Sequence, residues 1–126
     1  MIKRGVLLFA HGARDARWSV PFEAVARRVR ELDPAAVVQL AFLEFMAPPL
    51  RDAGEMLVDA GCMQVDVVPL FLGAGGHVRK DLPALLVDLS AAHPDVQWRL
   101  RRAIGEVDGV IEAMAQAALP APEAGP

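Results

Sequence analysis

Apolar residues in this sequence occur in two different patterns. Short continuous runs are typical of strands buried on both faces of a parallel sheet. Apolar residues spaced three or four positions apart, between the runs, are typical of amphipathic helices. Apolar and polar residues alternate in the fourth run, which predicts a half-exposed edge strand. The predicted strands are Lys3–Ala10, Val37–Leu43, Val65–Leu72 and Val96–Leu100.

The first two helices have recognisable beginnings and ends. Ser19 is a plausible N-cap for the first helix, with Pro21 in its first turn and Asp33–Pro34 at its end. The pair Pro48–Pro49 opens the second helix, and Gly61 ends it. The expected inward-facing residues are Phe22, Val25, Ala26, Val29 and Leu32 in the first helix and Leu50, Ala53, Leu57 and Ala60 in the second.

The third and fourth helices follow strands three and four. We expect the third to begin near Asp81, with Pro83 in its first turn, and to follow a glycine-rich turn at Gly73–Gly76. The expected inward-facing residues are Leu82, Leu85, Leu86 and Leu89 in the third helix and Val107, Val110, Ile111, Met114 and Ala118 in the fourth.

Four strand–helix alternations predict an α/β fold, a three-layer α/β/α sandwich on a four-stranded parallel sheet. Right-handed crossovers and a change of direction after strand two favour the strand order 2-1-3-4. We expect one domain over residues 1–119. The proline- and alanine-rich segment 120–126 has no apolar face and is predicted to be a disordered tail.

Composition excludes several functions. The 126-residue chain is 54% hydrophobic with a formal net charge of −3, which is typical of a globular protein and gives no support for nucleic-acid binding. It has no apolar run long enough for a bilayer and no signal-peptide pattern, so we expect a cytoplasmic protein with no membrane partner. Cys62 is the single cysteine, which excludes an intrachain disulfide and cysteine-based metal clusters. A metal would therefore be held by histidine and carboxylate.

Three residues that could bind a metal or transfer protons follow three neighbouring strands. His11 follows strand one, Glu44 follows strand two and His77 follows strand three. Ligands bind beyond the carboxyl ends of open parallel sheets, and adjacent strands lie about 4.8 Å apart, so these side chains are expected to converge within roughly 10 Å. Two imidazoles and a carboxylate suit a divalent first-row metal or general acid–base chemistry. His93, at the end of helix three, is interpreted as structural.

Each of these residues also has an ordinary interpretation. A histidine at a strand end is often a hydrogen-bonded loop residue, and Glu44 alone would be a solvated carboxylate near a helix start. The glycine-rich turn invites an anion-binding interpretation, but its spacing matches neither the dinucleotide fingerprint nor the phosphate-binding loop of nucleotide hydrolases. The cations of the strand-end loops are candidates for binding substrate carboxylates or plain surface charges; they are Arg14, Arg17, Arg79, Lys80, Arg99, Arg101 and Arg102.

Three segments resemble the signatures of a known family. The segments LLFAHGARD, AFLEFMAPPL and VVPLFLGAGGHVRKDLP are similar to those of the small class II chelatases, the short CbiX-like sirohydrochlorin cobaltochelatases and ferrochelatases. The resemblance extends from about residue 5 to about residue 100, with the signatures in the family's order. It implies a chelatase-like half-unit and a lyase that inserts a divalent metal into a tetrapyrrole without ATP, in cobalamin or sirohaem synthesis.

The resemblance also implies roles for the residues. His11 and His77 would handle the metal and the pyrrole protons, with Glu44 assisting, and either histidine serves as ligand or as base. Arg14, Arg79 and Lys80, with Gly75 and Gly76, would bind the anionic tetrapyrrole. The expected metal is Co²⁺ or Fe²⁺, with Ni²⁺ also possible, and no other cofactor is expected.

Longer relatives contain two such units, so the resemblance implies a homodimer with a shared cleft. The chain departs from the family at Ala47 and Pro49, where an acidic residue and a serine are frequent. The alternative functions are a carrier module that binds metal or tetrapyrrole without turnover, and a phosphatase with His11 as nucleophile. Histidine phosphatases typically place arginine before that histidine, and Ala10 stands there instead.

Overall fold

The computed structural model describes residues 2–73 and 75–121. Its four strands form one sheet in the order β2-β1-β3-β4, and every neighbouring pair is parallel. The predicted fold class and strand order are therefore confirmed. The elements are β1 (Arg4–Ala10), α1 (Val20–Leu32), β2 (Val37–Phe42), α2 (Leu50–Asp59), β3 (Gln64–Pro69), α3 (Gly76–Ala92), β4 (Gln97–Leu100) and α4 (Asp108–Ala118), with short 3-10 helices at Ala16–Ser19 and Ile104–Glu106.

Two apolar clusters lie on opposite faces of the sheet. Successive side chains of a strand point to opposite faces, and Leu7 and Phe9 of β1 belong to one cluster whereas Leu8 and Ala10 belong to the other. The larger cluster includes the inner faces of α2 and α3, and the smaller one includes Ala26 of α1. The sheet is thus covered from both sides, as the continuous apolar runs predicted.

The ends of α1 and α2 show which capping predictions were right. Pro21 lies in the first turn of α1 as predicted, but the Ser19 hydroxyl makes no capping bond and instead donates to the carbonyl oxygen of Ala16 at 3.1 Å. Ser19 already belongs to the preceding 3-10 helix, which holds its side chain away from the first turn of α1. Gly61 follows the C-cap of α2 with φ +91, the left-handed conformation that glycine adopts without strain.

The prediction for the start of the third helix was wrong by several residues. α3 begins at Gly76, with Gly75 as its N-cap, so Pro83 lies inside the helix rather than in its first turn. β3 ends at Pro69, three residues earlier than Leu72. The backbone of His77 therefore belongs to the first turn of a helix and not to a glycine-rich loop.

Some predicted core positions are exposed. Val25 and Leu32 of α1 are exposed, because the helix buries a narrower stripe centred on Ala26. The described part of the chain leaves every residue of α4 unburied, including Ile111 and Met114, so the predicted inner face of that helix has no cover there. The predicted tail lies outside the described residues from position 122 onward. Among the residues described, no helix is long and apolar enough to cross a membrane.

Candidate functional site

The ends of β1 and β2 are joined beyond the last residues of the two strands. The backbone N–H of Leu43 donates to the carbonyl oxygen of Ala10 at 2.8 Å, and that of Glu44 donates to His11 at 3.0 Å. These two bonds extend the parallel pairing, in which Ala10 lies opposite Phe42. His11 and Glu44 are therefore neighbours at the carboxyl edge of the sheet, as predicted from their positions after the two strands.

Gly12 allows this close approach. Its φ is +92, and a Cβ atom at this position would collide with the backbone carbonyl group of Glu44. Any residue with a side chain would be strained here by both its conformation and the lack of space. The glycine after His11 therefore turns the chain sharply without separating the two strand ends.

The His11 imidazole is exposed and rests on an aromatic side chain. Its ring centre lies 4.3 Å from that of Phe71, with 35° between the ring planes. Phe71 is only 2% exposed and packs edge-on against Phe9 with 5.8 Å between ring centres. A ring fixed from below by the core limits the orientations available to the imidazole above it.

An apolar cavity opens beside His11. Its volume is roughly 440 Å³, within the range of ligand-binding pockets. Trp18 is 41% exposed, and its ring centre lies 5.4 Å from that of Phe22. The cavity is lined by His11, Trp18, Phe22, Leu70, Phe71, Leu72 and Gly73. The arrangement offers an apolar surface with the His11 imidazole at its edge.

Glu44 begins a strained turn that also engages Arg14. Phe45, the next residue, has φ +66, which is uncommon for a residue with a large side chain. The guanidinium carbon of Arg14 lies 4.6 Å from the centre of the exposed Phe45 ring, a cation–π contact. Glu44 is exposed, so its carboxylate is accessible from solvent. Arg14 is thus held close to the His11–Glu44 edge.

The third predicted strand end is described only in part. Gly75 is exposed, and a Cβ atom added there or at Gly73 would meet no atom within 4 Å, so the space beside this segment is open. Lys80 is exposed. The side chains of His77, Val78 and Arg79 lie outside the described part, so the convergence of His77 with His11 stays a prediction. Among the side chains that are described, no three His, Cys, Asp or Glu residues form a metal-binding group.

Several other predicted cations have partners elsewhere. Arg99 donates two hydrogen bonds to Asp66, at 2.7 and 3.0 Å, and Arg101 lies 3.4 Å from the same carboxylate. These bonds raise the pKa of Arg99. Arg17 pairs with Asp15 at 2.8 Å and lowers the pKa of that carboxyl group. These interactions occupy groups that were also candidates for substrate binding.

His93 lies in a structural contact, as interpreted from the sequence, but with a different partner. Its Nε2 atom is 2.8 Å from Oε2 of Glu55, which links α3 to α2. The prediction relied on the end of the helix, whereas the ring contacts a side chain of another element. Glu55 was not identified beforehand, because nothing in its local pattern marks a partner 38 positions away.

Phe71, Trp18 and Phe45 are the residues of this region that sequence reasoning missed. Phe71 was counted only as part of an apolar strand, and Trp18 was not singled out. Their aromatic character in segments that flank a candidate histidine was the available signal. Sequence alone does not distinguish an aromatic residue that only fills the core from one that also lies beneath a candidate histidine.

A protein family and a solved structure match most of the chain. A family model described as CbiX matches residues 5–120. A crystal structure of a CbiX protein from Marinobacter aquaeolei, named for cobalamin (vitamin B12) biosynthesis, is 37% identical with a TM-score of 0.78, covering 90% of this chain and 92% of that one. The described fold is thus shared with a solved protein of similar length.

Curated relatives carry two kinds of name. A sirohydrochlorin cobaltochelatase from Sulfurisphaera tokodaii is 31% identical over 88 residues, covering 68% of this chain and 69% of the relative. A sirohydrochlorin ferrochelatase from Bacillus subtilis is 26% identical over 113 residues, covering 90% of this chain and 43% of the relative. The chain spans about half the length of several curated relatives, from 36% to 57%.

Proposed function

The chain belongs to the CbiX family, and we propose that it is a sirohydrochlorin chelatase, a lyase that inserts Co²⁺ or Fe²⁺ into sirohydrochlorin without ATP. Support comes from relatives named for the cobalt and for the iron reaction. The metal is a substrate here. Which ion is used depends on the availability of the metal and on the geometry of the site, because histidine and carboxylate ligands accept several first-row ions.

The exposed imidazole of His11 above the buried ring of Phe71 is the observation that carries this proposal. A chelatase needs a group that binds a metal ion reversibly or accepts a proton near neutral pH, and imidazole does both. That group must also face the flat, largely apolar macrocycle. The cavity beside His11, bounded by Trp18 and Phe22, supplies such a surface.

Metal insertion exchanges two protons for one divalent ion. Both inner pyrrole N–H bonds break, the two protons leave to bases, and the nitrogen electron pairs bind the metal as it leaves its former ligands. We propose that His11 and His77 divide metal ligation and proton acceptance between them. The Glu44 carboxylate, on the residue bonded to the His11 carbonyl oxygen, would accept a proton or orient an imidazole.

The carboxylate arms of sirohydrochlorin require cations at the rim of the site. Arg14, held over Phe45, and the exposed Lys80 are suited to this task, and Arg79 is proposed on its place in the motif. The open space beside Gly75 leaves room for the macrocycle next to the backbone. Gly76 begins α3, and a helix N-terminus favours nearby negative charge.

We further propose that two copies of the chain assemble around the substrate. The described cavity opens at one edge of a single four-stranded sheet, whereas a tetrapyrrole is broad enough to need a second wall. The match to only 43% of the Bacillus subtilis relative supports a half-unit. A single domain over residues 1–119 and a cytoplasmic location remain part of this proposal.

The test is to combine purified protein, sirohydrochlorin and Co²⁺ or, without oxygen, Fe²⁺, and to follow the absorbance of the tetrapyrrole. Insertion faster than in the absence of protein is expected, and His11→Ala should remove most of the acceleration. No acceleration by the wild-type protein, or an undiminished rate in His11→Ala, would contradict the proposal. Stoichiometric binding without turnover would instead support the carrier module.

A further inference from the structure

Phe45 is a large apolar residue at a position that does not favour one. The backbone N–H of Met46 donates to the carbonyl oxygen of Glu44 at 2.8 Å, which makes Phe45 the central residue of a three-residue γ-turn. Its φ is +66, the rare and strained form of that turn. The side chain is 57% exposed, so burial in the core does not offset the strain. A strained backbone at an exposed aromatic residue indicates a role other than packing.

Backbone hydrogen bonds hold the turn on both sides. Before the turn, the N–H of Glu44 donates to the carbonyl oxygen of His11, the residue after β1. Beyond the turn, the carbonyl oxygen of Pro48 accepts a bond from the N–H of Phe42, the last residue of β2, at 2.9 Å. Because the segment is joined to the sheet at both ends, its surroundings fix the conformation of Phe45 and therefore the place of its ring.

The ring of Phe45 supports an arginine that has no other side-chain partner in the described part of the chain. Arg14 lies in the loop between β1 and the first 3-10 helix, where no strand or helix fixes its backbone. Its guanidinium carbon is 4.6 Å from the centre of the Phe45 ring. The neighbouring Arg17 is instead paired with Asp15 at 2.8 Å. The ring therefore orders the Arg14 guanidinium and leaves its N–H donors available to a ligand.

We propose that Phe45 is a positioning residue, which holds the Arg14 guanidinium at the His11–Glu44 edge for a carboxylate arm of the tetrapyrrole. A guanidinium suits that group because it donates two parallel hydrogen bonds to a carboxylate. An arginine that is ordered before the substrate arrives loses less conformational freedom on binding, so the affinity rises. This inference rests on the proposed chelatase function, and it assigns the strained turn a part in substrate binding.

The first test measures the Kd of metal-free sirohydrochlorin by absorbance titration, so that metal chemistry does not enter the result. Phe45→Leu removes the aromatic face but keeps an apolar side chain, and the Kd should rise about two- to five-fold, which corresponds to an exposed cation–π contact. Phe45→Tyr keeps the aromatic face and should restore the wild-type Kd. No binding by the wild-type protein would overturn the proposed function and this inference together. Wild-type binding with an unchanged Kd in Phe45→Leu would overturn the inference alone.

A double-mutant cycle separates positioning from direct contact with the substrate. Arg14→Gln removes the charge and the guanidinium, and should itself raise the Kd. Adding Phe45→Leu to that variant should raise the Kd no further, because the ring acts through the guanidinium that is already lost. Additive increases in Kd would show that the ring contacts the tetrapyrrole itself, and would overturn the positioning role.

Stability should change in the direction opposite to binding. Phe45→Gly removes the ring, and glycine adopts a positive φ without strain, so the urea midpoint should stay the same or rise. The Kd of sirohydrochlorin should nevertheless increase at least as much as in Phe45→Leu. A fall in the urea midpoint with an unchanged Kd would show that Phe45 serves the fold alone, and would contradict the proposal.

Discussion

The backbone N–H of Glu44 donates a hydrogen bond to the carbonyl oxygen of His11 at 3.0 Å. This bond continues the β1–β2 ladder past the strands and places His11 and Glu44 side by side. The same close approach explains Gly12, since a Cβ atom there would collide with the carbonyl group of Glu44. Backbone hydrogen bonds alone therefore hold the two strand ends together at this edge of the sheet.

Replacement of His11 tests the chemistry with little effect on the fold. His11 is exposed, so His11→Ala should unfold at nearly the wild-type temperature, while the chelation rate falls by about 10²–10⁴-fold if the imidazole acts in proton transfer. His93→Ala is the matched control. Loss of its contact with Glu55 should lower the unfolding temperature and leave the rate per folded molecule unchanged. Equal rates in the two variants would contradict the role of His11.

Phe71 is expected to position the His11 ring. Phe71→Leu removes a stacked ring worth about 0.5–1.5 kcal/mol and should lower kcat several-fold because the imidazole gains alternative orientations. Leu57→Ala, at a position only 1% exposed in the same core cluster, is the control. It should destabilise the protein at least as much, as measured by urea unfolding, without the fall in kcat. An equal fall in kcat in both variants would show that Phe71 acts only as a core residue.

Gly12 should tolerate no side chain. Gly12→Ala forces alanine into a left-handed conformation against the Glu44 carbonyl group, and the free energy of unfolding should fall by about 1–3 kcal/mol. Gly109→Ala has open space and lies in a helix, so it should leave stability unchanged or raise it by up to about 1 kcal/mol. Urea titration of both variants measures the difference. A neutral Gly12→Ala would mean that the turn relaxes freely.

Burial raises the pKa of the Cys62 thiol, and the nearby Lys3 ammonium offsets this only in part. The folded chain keeps the proton at pH values where an unfolded thiol, with a pKa of about 8.5, has lost it. This contribution to stability is complete below that pKa and is lost as pH rises above it. Cys62 should react with a thiol reagent at pH 8 only after unfolding. The urea midpoint should fall more between pH 7 and 9.5 in wild type than in Cys62→Ala.

Patterns of neighbouring residues were enough to predict the sheet and most of the helices. Continuous apolar runs marked β1, β2 and β3, and Gly61 marked the end of α2, because these signals depend on residues only a few positions apart. The start of α3 was misplaced because glycine and proline were interpreted as a turn and a first-turn residue. The backbone instead enters the helix at Gly76 and continues past Pro83.

The sequence by itself determined the α/β alternation, the strand order and the placement of His11 and Glu44 after adjacent strands, since periodicity and the geometry of parallel sheets are local or general. Only the tertiary structure decided that Phe71 lies beneath His11, that Asp66 binds Arg99, and that α4 has no buried residue in the described part of the chain. These relationships join residues far apart in the chain, and no local pattern carries them. They arise when packing brings distant surfaces within contact distance.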